Sequence, residues 1–422
     1  MTKLKFYLIL IASFPCCFYY IYWNSTNIEV LKILCLINLA FSLIPLFLHR
    51  RSPYLGPIFL VLSYVIYSIF IGRYFSPELA PAINAVIDYE FDFLGLFITF
   101  LFIFFFTFFL KSHQKIVLTI EPVSKSSKNI IISLGCIFVA LCLQFIFMER
   151  VDGARGNYSP IYEYSIVFCI PALFYSLRNK YFKFFIISIL IFMILRDFSL
   201  GHRATGVQIT LLIYALYLYK FYSLKRFSFS FFLAIFLFNF IASFRNDFIF
   251  SFDNLTESMV YLFNDQFLSS STAFFAWVAS LTFLSVQTLV PYSEILTNFL
   301  DFIISMIIPG TYGNSLYMIS KEYYQHQNGG LLPLYMFYYL NYAAIPFIAI
   351  VLAFYFNLIK TKKTTTFKSL LFIYIFVTSP RWLIYSPTGL FRGAAIFSII
   401  ILLIFMFKYA LNMFYVKRSQ NV

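Results

Sequence analysis

Apolar runs of about 20 residues follow one another along the chain, and short polar joints separate them. The runs lie near 6–23, 28–48, 55–74, 91–110, 129–148, 160–177, 182–196, 204–220, 227–244, 331–358, 367–384 and 389–407. Each is continuously apolar rather than alternating. A strand of a membrane barrel would alternate, one face to lipid and one to the lumen. Backbone groups in hydrocarbon must be satisfied within the chain, which leaves helices. The pattern predicts an all-α polytopic membrane protein with about twelve spans, a single transmembrane domain over 1–422. The first run follows basic residues as a signal peptide does. It is aromatic and has no clear small-residue cleavage site, so it reads as a retained helix.

One stretch does not fit the regular spacing. Residues 245–330 form the longest connection, with an amphipathic stretch (SFDNLTESMVYLFNDQF) and an apolar one near 269–290. The apolar stretch is long enough to span, but its return segment, NFLDFIISMIIPG, is short and carries Asp301. A re-entrant helix or a cap lying at the interface accounts for both. A connection of this length is usually functional.

Charge then gives the spans a direction. With these runs as spans, one set of joints holds Lys3, Lys5, Arg50, Arg51, Lys111, Lys115, Lys180, Lys183, Lys220, Lys225, Lys360, Lys362 and Lys363, and Glu121 is its only acid. The positive-inside rule makes that set cytoplasmic, with both termini inside. The net charge of +14 therefore points to membrane topology, not to nucleic acid. The opposite joints carry nearly all the acids, and their bases are mostly arginine: Arg73, Arg150, Arg155, Arg196, Arg203, Arg245, Arg381 and Arg392, with Lys32 and Lys321. Topology asks only for positive charge. A preference for arginine has a second cause, because the guanidinium fork matches phosphate and carboxylate two bonds at a time.

Span ends at one level can converge on one cavity, and ionisable groups at membrane depth are expensive to keep. Arg203 and Arg392 are the sharpest candidates. Each opens a long apolar run beside glycine, with no acid near it in sequence. Arg155, Arg196 and Arg245 have Asp152, Asp197 and Asp247 close by and can pair locally. His326 stands before Gly329 and Gly330 at the entrance to a span, and a histidine there can serve as general base. His202 is its competitor. Tyr158, Tyr162, Tyr164, Tyr323, Tyr324, Trp382 and Tyr385 lie in the same outer segments. An interfacial aromatic belt accounts for most of them, and sugar stacking is open to some. The six cysteines all sit inside apolar runs, so neither a metal cluster nor a disulfide framework is indicated. No phosphate-cradling glycine loop, carboxylate pair at metal spacing or serine elbow is present.

Three stretches together resemble the bacterial O-antigen and capsular polysaccharide polymerases of the Wzy type and their relatives the O-antigen ligases. SLGHRATGVQITLLIYAL resembles that family's Gly-x-Arg opening of a mid-chain span. HQNGGLLPLYMFYYLNYAAIPFIAIVLAFYF resembles its loop-to-span passage, and LIYSPTGLFRGAAIFSIIILL its arginine-initiated last span. In the ligases a histidine is closely followed by asparagine; here Gln327 stands between His326 and Asn328.

The resemblance implies a GT-C-like helical bundle in the bacterial inner membrane with a periplasmic active face. It implies polymerisation of oligosaccharide repeat units carried on undecaprenyl diphosphate, which is donor and acceptor. A chain-length regulator would be a partner, and no cofactor or metal is expected. On this reading Arg203, Arg245 and Arg392, with Arg155, Arg196 and Arg381, hold the diphosphate. His326 or Glu322 takes the acceptor's proton, and Tyr158, Tyr323, Tyr324 and Trp382 contact sugar. The alternatives are an O-antigen ligase and a flippase or transporter for the same lipid-linked oligosaccharide. Transporters commonly show paired repeats and midplane sites, and the sequence shows neither.

Overall fold

A computed structural model describes residues 27–75, 77, 84–110, 127–147, 160–199, 204–243, 272–307, 316–324, 329–357 and 365–420. Among the described residues the ordered elements are helices, with no strand. They are α1 (Ile28–Leu48), α2 (Leu55–Ile69), α3 (Asp92–Phe109), α4 (Ser127–Ile146), α5 (Ser165–Ser176), α6 (Lys180–Ser199), α7 (Ala204–Leu216) and α8 (Leu224–Ser243). Then follow α9 (Thr272–Leu289), α10 (Tyr292–Ile307), α11 (Leu316–Lys321), α12 (Leu332–Leu340), α13 (Ala344–Asn357), α14 (Thr366–Val377), α15 (Ser379–Ile384) and α16 (Thr388–Gln420). The predicted span at 6–23 lies outside the described residues.

Six helical segments are long and apolar enough to cross a bilayer: Ile28–Leu48, Leu55–Phe75, Tyr89–Phe109, Lys128–Ile146, Leu332–Asn357 and Thr388–Leu411. Other predicted spans are shorter helices, among them Ile161–Ser176, Thr205–Leu216 and Thr366–Val377. Local chemistry sets the breaks. The α14 helix begins at Thr365, whose hydroxyl caps the Lys368 N–H. It stops where the Thr378 hydroxyl turns back onto the Tyr374 carbonyl at 2.8 Å and Pro380 follows. Between α12 and α13 the chain bends at Asn341, which takes φ 52°.

Lipid gives no hydrophobic force between helices, so close packing and polar ties hold them. Glycines receive aromatic rings. A Cβ at Gly95 of α3 would stand 2.7 Å from the Trp277 ring of α9, and one at Gly72 would stand 2.8 Å from the Phe274 ring. At the lysine-rich end two reciprocal bonds join α2 to α7: the Tyr54 hydroxyl donates to the Ala215 carbonyl at 3.0 Å, and Tyr214 to that of Pro53 at 2.7 Å. The Asn357 amide of α13 donates to the Phe109 carbonyl of α3 at 3.2 Å.

The arginine-bearing end has a different anchor. A π-helical turn, Phe70–Phe75, extends α2 and carries Arg73 into the interior. Arg73 Nε and Nη2 reach both oxygens of Asp92, at 3.1 and 2.9 Å, with neither side chain exposed. Its remaining N–H groups go to Asn84 and to the carbonyls of Ile87 and Asp88. The Tyr74 hydroxyl also binds Asp92, and the Tyr89 ring lies 4.1 Å from the guanidinium. Every donor of this arginine is used, so it ties α2, α3 and the joint between them and is not open to a ligand.

The stretch near 269–290 is α9, and it is packed inside the bundle. Phe274, Trp277, Leu281 and Phe283 have no exposed surface. The helix packs on α2, α3 and α12. An interface-lying cap would leave one side to water; this helix is enclosed on its sides, and among its described residues only the last turn, at Thr288 and Leu289, is exposed. It is followed by an amphipathic return. In α10, Ile295, Phe302 and Ser305 face inward while Leu296, Leu300 and Ile303 are exposed.

Candidate functional site

Arg203, Arg155, Arg245, Tyr158 and His326 lie outside the described residues. Their described neighbours are ordered. Ala204, next to Arg203, begins α7. Gly330 N–H donates to the Ile384 carbonyl at 3.0 Å, and Leu331 N–H to the Ser280 hydroxyl at 2.7 Å. The glycine turn that follows His326 is thus fastened to α15 and α9.

The remaining sequence candidates divide. Arg196, in the last turn of α6, donates to the Gln144 carbonyl at 2.9 Å and covers the Phe145 ring at 4.2 Å. Its neighbour Asp197 is fully buried and accepts from the Gln144 amide at 3.3 Å. The two side chains both bind Gln144 of α4, and they stay within electrostatic reach of each other.

Arg381, in α15, finds an acid far away in sequence. Its Nη2 lies 2.7 Å from Glu163 Oε1, in the turn Pro160–Tyr164 before α5. The pair is partly open, at 31% and 21% exposure, and Arg381 also stacks 4.5 Å from Tyr385.

Arg392 begins the second turn of α16 and is only partly satisfied by the described residues. Its Nη1 makes one long bond to the Ser305 carbonyl of α10, at 3.4 Å. Its Nε is buried with no partner among the described residues. Among the described residues no carboxylate lies within ion-pair distance of it.

The first turn of α16, which leads into Arg392, has the Arg381 side chain 4.0 Å from where a Gly389 Cβ would stand, and it is also reached by Tyr374. The Tyr374 side chain is buried in α14, and its hydroxyl donates to the Gly389 carbonyl at 3.1 Å. It is stacked on Phe397 at 4.8 Å and is within electrostatic reach of both Glu163 and Arg392. A Cβ at Gly393 would fall 2.0 Å from the Tyr374 hydroxyl, so only glycine leaves α16 this close to α14. One neighbourhood at the arginine end therefore holds a carboxylate, two guanidiniums and a tyrosine, drawn from the turn before α5 and from α14, α15 and α16.

The aromatic candidates also divide. Trp382 is fully buried, and its indole N–H donates to the Ile375 carbonyl at 3.0 Å. It packs inside the protein and presents no ring face to a sugar, because α15 folds back onto α14. Glu322 and Tyr323 are exposed in the turn after α11. The Tyr324 hydroxyl is joined to that of Ser285 in α9.

Sequence reasoning passed over Glu163, Tyr374 and Gln144. Glu163 was legible as an acid opening an apolar run, the same signal that singled out Arg392. Tyr374 and Gln144 carry no such signal, since each sits inside an apolar run and owes its place to packing.

Among the described residues no group of three His, Cys, Asp or Glu side chains could hold a metal ion. No family model matches the chain, and no curated protein or solved structure matches it.

Proposed function

We propose that this protein polymerises oligosaccharide repeat units carried on undecaprenyl diphosphate at the periplasmic face of a bacterial inner membrane. The lysine-rich end faces the cytoplasm and the arginine-bearing end the periplasm. The reading is supported by the three stretches that resemble Wzy-type polymerases, and by one structural observation above the others. Arg392 keeps a charged fork at the arginine end with a buried Nε that no group among the described residues satisfies. A buried donor left unmade is costly, and an anion is the ligand that would complete it.

The donor brings its own leaving group, a lipid diphosphate. Fixed cations in a water-poor site stabilise the charge that develops as this group departs. In this proposal Arg392 and Arg203, with Arg245 and Arg155, hold the diphosphate. Arg196 and Arg381, both engaged with protein partners, shape its surroundings. An acceptor hydroxyl attacks the anomeric carbon from the opposite face, inverting it in one displacement, and its proton passes to a general base. His326 and Glu322 are the bases the sequence offers.

The test uses the purified protein and the lipid-linked oligosaccharide that accumulates in its host when the gene is deleted. Laddered polymer, lost on Arg203→Ala and Arg392→Ala substitution, supports the polymerase. Cells that make polymer but leave it unattached to lipid A core would point to the ligase. Movement of intact donor across vesicles without new linkages would point to the transporter.

A further inference from the structure

We infer that Glu163 is the carboxylate that receives the acceptor-sugar proton, with Arg381 as its positioning partner. This rests on the polymerase reading above. Three observations carry it. First, the Glu163–Arg381 pair lies against the first turn of α16, one turn before Arg392: a Cβ at Gly389 would stand 4.0 Å from the Arg381 side chain, and the Gly389 carbonyl accepts from Tyr374 at 3.1 Å. Second, Arg381 holds Oε1 at 2.7 Å, which fixes the carboxylate without occupying both its oxygens. Third, Glu163 is 21% exposed, open enough to be reached, whereas its neighbour Asp197 is fully buried. The charged and titratable groups around Glu163 are Arg381 of α15, Tyr374 of α14, Asp197 of α6 and Tyr162 of its own turn.

The step balances as follows. The acceptor hydroxyl oxygen forms a bond to the anomeric carbon of the donor. The bond from that carbon to the phosphate oxygen breaks, and its electron pair leaves with undecaprenyl diphosphate. The hydroxyl proton moves to Glu163 and is later released to water.

Two measurements separate this role from a merely structural ion pair. The first is turnover of the lipid-linked oligosaccharide from the deletion strain. The second is binding of undecaprenyl diphosphate without sugar. Glu163→Gln keeps a hydrogen-bond acceptor for Arg381 but loses the basic oxygen. It is expected to bind undecaprenyl diphosphate as the native protein does and to lose about 10²–10⁴-fold in turnover. The exchange E163R/R381E restores an ion pair between the same two positions with the charges swapped. It is expected to recover the native thermal midpoint and to stay inactive.

Turnover by Glu163→Gln within about tenfold of native overturns the assignment while the polymerase reading stands. Recovery of turnover by the exchanged pair overturns it as well. The polymerase reading itself fails, and takes the assignment with it, if the native protein makes no polymer and Arg392→Ala leaves undecaprenyl diphosphate binding unchanged.

Discussion

Arg73 and Asp92 form a two-pronged ion pair with no exposed surface on either side chain, Nε to Oδ1 at 3.1 Å and Nη2 to Oδ2 at 2.9 Å. The pair ties the π-helical turn Phe70–Phe75 to the first residue of α3. Removing one partner of a buried pair strands a charge and costs about 3–5 kcal/mol. Asp92→Ala and Arg73→Ala are each expected to lower the thermal midpoint strongly in detergent. The double substitution should cost less than the two singles added together, because neither charge is then left alone. A strictly additive double would show that the two groups do not act as a pair.

Gly329 takes φ 128°, a conformation that side-chain-bearing residues rarely adopt, and a Cβ there would stand 3.2 Å from the Ile384 carbonyl. Gly329→Ala is expected to cost about 1–3 kcal/mol in strain. It should also weaken the Gly330–Ile384 bond that fastens the turn after His326. Hydrogen exchange at Gly330 would rise well above native; unchanged protection would count against the strained turn.

The fork of Arg392 matters more than its charge if it grips a diphosphate. Arg392→Ala is expected to lose about 10²–10³-fold in polymerisation. Arg392→Lys and Arg203→Lys should fail almost as badly, because lysine cannot bind in two prongs. A fully active Arg203→Lys protein would remove that residue from the diphosphate site.

Asp197 is buried with one oxygen on Gln144 and the other without a partner, while the Gln144 amide oxygen is itself unsatisfied. An asparagine there carries no charge and can offer an N–H to that oxygen. Asp197→Asn is expected to hold or raise the thermal midpoint, by about 1 kcal/mol of stability. A marked drop would mean that the charge is held by something stronger than this geometry supplies.

Sidedness is open to labelling. Arg51 and Glu322 are both exposed, and the charge distribution puts them on opposite faces. Cys35, Cys136 and Cys169 are buried and free, so these thiols should react slowly; the half-buried Cys142, with Cys16 and Cys17, is replaced by serine in the labelling background. In intact cells an impermeant thiol reagent is expected to label Glu322→Cys and to spare Arg51→Cys. Equal labelling of both would overturn the topology.

By itself the sequence determined the helices and the chemical contrast between the two sets of joints. Helix formation in lipid is decided locally: each backbone bond closes within four residues, and an apolar run has no other way to satisfy itself. The runs at 28–48, 55–74 and 91–110 could therefore be read directly. What each charged or aromatic side chain touches was decided only by the tertiary structure. Arg381 lies 218 positions from its partner Glu163, and nothing in the composition of either stretch points to the other. Trp382 belongs to an outer segment by sequence, yet the return of α15 onto α14 buries it. The stretch near 269–290 reads as a re-entrant helix or an interface cap, and the contacts of its described part with Gly72 and Gly95 put it inside the bundle. Hydropathy measures a preference of each residue for lipid or water. Pairing, burial and the unsatisfied fork of Arg392 depend on distances between helices that only the packed bundle sets.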